Sequence, residues 1–124
     1  DREAVVAQRV EMFEVLSGSG VEYDRASRAE LFGREFDRAR NIASSGNHGL
    51  CIASTEPWAH RLGEINQPTL VIHGTDDPIL GFDHGQALEA GIKGAQLVQM
   101  GGAGHEIPEE MLDAIIPAIL DHTG

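Results

Sequence analysis

The 124-residue chain is one domain's worth of sequence, and its 41% hydrophobic and 23% charged residues match a folded protein rather than a disordered one. Nine Lys and Arg against twenty Asp and Glu leave a formal charge of −11, which disfavours nucleic acid and anionic membrane surfaces as partners. No apolar run approaches the roughly 20 residues of a membrane helix, no signal-peptide pattern opens the chain, and the single Cys51 rules out an intrachain disulfide, which fits a reducing, cytoplasmic setting.

Arg2–Leu16 carries Val6, Val10 and Phe13 at steps of four and three, with Val5, Met12 and Leu16 widening the stripe, which predicts a helix. Ser17-Gly18-Ser19-Gly20 ends it, glycine being a natural C-terminal stop. Ser27-Arg28-Ala29-Glu30 has capping-box spacing, so a second helix is expected from Ser27, with Leu31, Phe32 and Phe36 on its apolar side. Ser44–Gly49 reads as a turn, followed by a short helix over Leu50–Ser54 and one further turn at His60–Leu62.

Gln67–Gly74 is the strongest strand. Its apolar run is continuous, as in a strand covered on both faces, and Pro68 stands at its start, where a missing N–H matters least. After the loop Gly74–Pro78, a helix is predicted over His84–Ile92 with Gly94 as its stop. A second strand over Ala95–Met100 leads into a turn at Gly101–Gly104. The last helix, Pro108–Asp121, carries Met111, Leu112, Ile115, Ile116, Ile119 and Leu120 as a broad buried stripe, with a kink expected at Pro117.

Strand, helix, strand, helix predicts a parallel, right-handed βαβ unit. In open α/β sheets the chemistry gathers beyond the carboxyl ends of the strands. That brings Asp76 and Asp77 of the first loop beside His105 of the second. Asp77 lies four residues after His73, and His105 five after Met100, so both stand at a similar distance beyond a strand end. A carboxylate beside an imidazole fixes its tautomer and stabilises its charged form, which suits the histidine to general-base work on a hydroxyl nucleophile. Spacing alone leaves the alternative open that Asp76-Asp77-Pro78 is a turn and His105 a surface loop residue.

Pro68-Thr69-Leu70-Val71-Ile72-His73-Gly74-Thr75-Asp76-Asp77-Pro78-Ile79 resembles the penultimate strand and acid loop of α/β-hydrolases, and Gly104-His105 resembles that family's catalytic-histidine loop. Asp83-His84-Gly85 is similar to the helix start in esterase-like and carbon–carbon-bond hydrolase members. The family's triad runs serine, acid, histidine along the chain, an order that Asp77 and His105 obey. The resemblance implies Asp77 as the acid, His105 as the base, Asp76 as a turn residue and a structural His73. It implies no cofactor and no metal. Residues 1–60 are similar to the helical caps of small esterases of the aclacinomycin methylesterase type, and 61–124 to the C-terminal part of the hydrolase core. Phe32, Phe36, Trp58 and Glu106 then become candidate pocket residues. Packing is the simpler role for the aromatics and for Met12, and solvation for Glu106. Cys51, with no Cys–His motif around it, is expected to be a small buried hydrophobe.

One departure is decisive for function. The family's nucleophile stands in a G-x-S-x-G elbow, and no serine of this chain has that setting. The expected protein is therefore a partial α/β-hydrolase fold: a helical cap followed by a parallel β-α-β-α tail. Its expected role is that of a C-terminal fragment of a serine hydrolase acting on small carboxylic esters, carrying acid and base and inactive alone. The start at Asp1 rather than Met fits a processed or cut piece. The exposed strand edge at Leu70, Val71 and Ile72 implies self-association or pairing with an N-terminal half. The alternatives are a non-catalytic binding or assembly module, or part of a dehalogenase, epoxide hydrolase or perhydrolase.

Overall fold

The computed structural model describes residues 1–124. Asp1 caps the first helix, α1 (Arg2–Leu16), by accepting from the Glu3 amide at 3.1 Å. The second helix, α2 (Arg25–Arg38), starts two residues before the expected Ser27. Asp24 is the reason: its carboxylate accepts from the amides of Ala26 and Ser27, at 2.9 and 3.1 Å. With the Ser27 amide already taken, the Ser27–Glu30 spacing falls inside the first turn instead of opening the helix.

α1 and α2 pack through Val10, Phe13 and Phe32. The two phenyl rings stand 4.9 Å apart, and the Arg9 guanidinium covers Phe32 at 4.6 Å while pairing with Glu35 at 2.7 Å. Phe32 is only 2% exposed, and such burial stabilises by about 1.5–3 kcal/mol. The Tyr23 hydroxyl donates to the Val10 carbonyl at 2.8 Å and ties the connecting segment to α1.

The Ser44–Gly49 stretch is helical rather than a turn. Asn41 caps a 3-10 helix over Ile42–Gly46, which runs straight into α3 (Asn47–Ser54), so the chain coils three residues before Leu50. Nothing packs on the apolar side of α3. Leu50 and Ile52 are exposed, and so is Cys51, which is therefore not the buried hydrophobe its chemistry suggested. A second 3-10 helix, Ala59–Glu64, buries Leu62.

β1 (Leu70–Gly74) and β2 (Gln96–Met100) pair in parallel, Leu70 opposite Gln96 and Gly74 opposite Met100, with α4 (Phe82–Gly91) as the crossover. Each strand is five residues long. Gln67–Thr69 precedes β1: the Thr69 carbonyl still accepts from the Gln96 amide at 3.0 Å, but Pro68 has no N–H to give and Thr69 Oγ1 turns back to the Gln67 carbonyl at 3.0 Å. A short 3-10 helix, Glu109–Met111, precedes α5 (Leu112–Thr123), which continues through Pro117.

Met100, Ala103 and Ile115 form the core beneath the strand ends, with Val21, Ile72 and Met111 packed on it. The expected buried stripe of α5 reduces to Ile115: Leu112, Ile116, Ile119 and Leu120 are exposed. The apolar pattern is genuine, but no element of the chain covers that face. The whole chain exposes 8716 Å², against about 6,500 Å² for a compact protein of 13.3 kDa. No helix is long and apolar enough to cross a membrane.

Candidate active site

Gly74 and Met100 are register partners, so the loops after β1 and β2 leave the sheet side by side. They stay joined beyond the last ladder pair. The Thr75 amide donates to the Met100 carbonyl at 3.0 Å and the Asp76 amide to Ala103 at 2.9 Å. The backbones meet so closely that a Cβ on Gly74 would lie 2.2 Å from the Gly104 carbonyl oxygen. Only glycine permits that approach.

This junction delivers Asp77 and His105 to each other. His105 Nδ1 lies 2.8 Å from Asp77 Oδ2. Asp77 Oδ1 accepts from the amides of Ile79 and Leu80 at 2.8 and 2.9 Å, so the acid is held at both oxygens. Its side chain is 5% exposed, whereas that of His105 is 39% exposed. Burial alone pushes the Asp77 carboxyl up. The Leu80 amide, the His105 imidazole and the Ile79 amide outweigh it and hold the carboxyl below its ordinary value.

An ionised Asp77 fixes the proton of neutral His105 on Nδ1 and leaves Nε2 as the acceptor. The pair can therefore take a proton at Nε2 and stabilise the resulting imidazolium. His73, at the end of β1, is a second imidazole beside the same acid. Its Nε2 donates to the Leu80 carbonyl at 2.8 Å and stands 3.7 Å from Asp77 Oδ2. Phe82 meets the ring edge-on at 6.0 Å, and a Cβ on Gly85 would lie 3.0 Å from it, so α4 packs directly on His73.

The four candidate pocket residues fare differently. Phe32 is sealed between Phe13 and Arg9 and belongs to the packing of α1 on α2, as its place on the apolar side of a helix allows. Phe36 is half-buried on the same helix. Trp58 is 53% exposed. It borders a hollow of about 340 Å³ with Arg61, Glu64, Ile65 and Gln67, to which neither Asp77 nor His105 contributes. Glu106 follows His105 but turns to α2, where Arg28 Nη2 lies 3.0 Å from its Oε1. Burial pushes the Glu106 carboxyl up and Arg28 partly offsets this.

The turn after α1, expected only to stop that helix, meets the site. Ser19 reaches Asp76, and the His105 amide donates to the Leu16 carbonyl at 2.7 Å. The alternating Ser-Gly-Ser-Gly run was the available signal, since repeated glycines mark close backbone approach.

A sequence profile described as alpha/beta hydrolase fold matches residues 15–111. The chain belongs to the alpha/beta hydrolase fold family. Among curated family relatives, rhodomycin D methylesterase DnrP of Streptomyces peucetius is 28% identical over an alignment of 133 positions, covering 98% of this chain and 41% of that protein. The 2-hydroxy-6-oxononadienedioate/2-hydroxy-6-oxononatrienedioate hydrolase 1 of Pseudomonas putida is 42% identical over 64 residues, 52% of this chain and 22% of that protein. The crystal structure of bromoperoxidase from Bacillus anthracis superposes with a TM-score of 0.69 at 18% identity, over 99% of this chain and 44% of that one. The matched stretch is thus less than half the length of each of these proteins.

Proposed function

We propose that this chain is the C-terminal part of a serine hydrolase acting on small carboxylic esters, and that Asp77 and His105 are its acid and base. The observation that carries the reading is the 2.8 Å contact between His105 Nδ1 and Asp77 Oδ2, with the acid buried and the imidazole partly exposed. Family membership and the methylesterase likeness over nearly the whole chain support the ester class.

In this mechanism a serine outside the chain attacks the acyl carbon. His105 Nε2 takes the hydroxyl proton as the new C–O bond forms, and Asp77 stabilises the imidazolium. The proton passes to the leaving alkoxide as the ester bond breaks. A water then repeats the sequence, giving its proton to His105 and its oxygen to the acyl carbon, and the serine leaves with that proton. Phe36 and Trp58 contact substrate only if the rest of the fold completes a pocket around them.

Alone, the 124 residues lack nucleophile and oxyanion donors and are inactive. The partner is the N-terminal half of the hydrolase core. The excess of exposed area over a compact protein, and the open apolar faces of α3 and α5, support such a cover. Without it, copies of the chain associate through the same faces and strand edges.

The likeness to the Pseudomonas putida enzyme, confined to about half of the chain, favours hydrolysis of a 2-hydroxy-6-oxo dienedioate or trienedioate as the second reading. A fluorophosphonate probe tests the nucleophile. The isolated chain stays unlabelled, whereas a protein containing the preceding half is labelled at one serine. Labelling of the isolated chain at a serine, abolished in His105→Ala, overturns the inactive-fragment reading.

A further inference from the structure

We propose that Ser19 and Asp76 are positioning residues: their hydrogen bond locks the end of α1 to the acid loop and so sets the place of His105. The inference rests on the reading of Asp77 and His105 as acid and base.

The contact spans 57 residues of sequence. Both groups of Ser19 converge on one oxygen: the amide donates to Asp76 Oδ2 at 3.3 Å, and the hydroxyl donates to the same atom. Thr75 Oγ1 donates to the other oxygen, Oδ1, at 3.0 Å and accepts from the Gly102 amide at 2.8 Å. Asp76 is thus fixed to both the α1 turn and the histidine loop.

The histidine loop is in turn held from α1. The His105 amide donates to Leu16 and the Gly104 amide to Ser17, each at 2.7 Å, and the Gly20 amide donates to Gly102 at 2.9 Å. The hydrogen bonds close a ring: Asp77, its neighbour Asp76, Ser19, the α1 end, His105 and back to Asp77. Gly18 stands at φ +93°, and a Cβ there would lie 2.3 Å from the Gly102 carbonyl oxygen, so the turn is shaped for this contact. Hydrogen bonds from the Ser19 hydroxyl, Thr75 and the Ser19 amide hold the Asp76 carboxyl below its ordinary value, so the lock stays charged further into the acid range.

Ser19 and Asp76 are exposed, so breaking their bond leaves the fold standing. Its effect is on alignment, and the His105 tautomer reads it directly. In nitrogen-15 spectra of the imidazole rings of the full 124-residue chain near neutral pH, wild-type His105 carries its proton on Nδ1. Ser19→Ala and Asp76→Asn lower the ratio of the Nδ1–H to the Nε2–H form by roughly three- to tenfold, the worth of one hydrogen bond. Ser19→Thr, which keeps the hydroxyl, restores it. An unchanged ratio in either Ser19→Ala or Asp76→Asn overturns the lock. A wild-type His105 with no preference for Nδ1 overturns the pair itself, and with it the function proposed above. Should one variant fail to fold, the other still decides.

Discussion

His105 Nδ1 lies 2.8 Å from Oδ2 of Asp77, a carboxylate 28 residues earlier and almost fully buried. The contact is bonded from both sides: Ile79 and Leu80 hold the acid, and the end of α1 holds the histidine backbone. An amide in place of the acid can present an N–H to the ring and favour the wrong tautomer. Asp77→Asn in the complete enzyme is therefore expected to lower kcat by about 10⁴-fold with little change in KM, as when a triad carboxylate is replaced. Steady-state kinetics on esters check it.

His73 offers a second handle on the same acid. Its Nε2 holds the Leu80 carbonyl, and Leu80 and Ile79 hold Asp77 Oδ1. His73→Leu removes the donor and leaves that carbonyl without its partner, at a cost of about 1–3 kcal/mol. The Asp77 titration followed by carboxyl carbon-13 shifts then moves up towards the ordinary value. His73→Gln, which keeps an N–H at similar reach, recovers most of both effects. Urea unfolding alongside the titration separates the stability loss from the shift at Asp77.

The glycines at the loop junction make opposite predictions from those on bare helices. Gly74→Ala drives a methyl into the Gly104 carbonyl, and Gly104→Ala drives one to 2.0 Å from the Leu16 carbonyl oxygen. Each is expected to destabilise by about 3 kcal/mol or more, because backbone rather than a flexible side chain must give way. Gly49, inside α3, meets nothing within 4 Å. Gly49→Ala is expected to stabilise by roughly 0.5–1 kcal/mol through helix propensity. Denaturant midpoints rank the three.

Much of this architecture was legible in the sequence for a physical reason. β1, α4 and β2 are bounded by their own local chemistry, such as Gly74 and Gly94 at φ +79°, so the parallel unit followed from short-range signals, whereas spacing left the pairing of Asp77 with His105 open and the family resemblance chose it. Cap competition was harder to read: Asp24 and Ser27 are both good caps, and only Asp24 engages. Burial was least legible. Ile116, Ile119 and Leu120 have the pattern of a covered face, but a pattern states what a surface needs and not whether the chain supplies it. The Ser19–Asp76 bond joins residues 57 apart and carries no local signature beyond the glycines around Ser19.

Arg28 and Glu106 brace α2 against the histidine loop, and their charges give a pH test. Burial raises the folded-state value of Glu106, so its contribution to stability is fully present below the unfolded value and is lost as pH rises through the raised one. Arg28→Leu removes the partly offsetting charge. It is expected to destabilise by about 1–3 kcal/mol at pH 7 and by less near pH 4, where Glu106 is protonated. Arg28→Leu combined with Glu106→Gln flattens that dependence. Thermal melts of wild type and variants across this range check the sign.

In the proposed reading, Asp77 and His105 serve a nucleophile supplied from beyond this chain. The most direct measurement is turnover of short p-nitrophenyl esters by the 124 residues alone and by a longer protein in which a G-x-S-x-G half precedes them, each with and without His105→Ala. No His105-dependent turnover is expected from the chain alone, and turnover by the longer protein is expected to fall about 10³-fold or more in His105→Ala. His105-dependent turnover by the isolated chain, or a longer protein indifferent to His105→Ala, would overturn that reading.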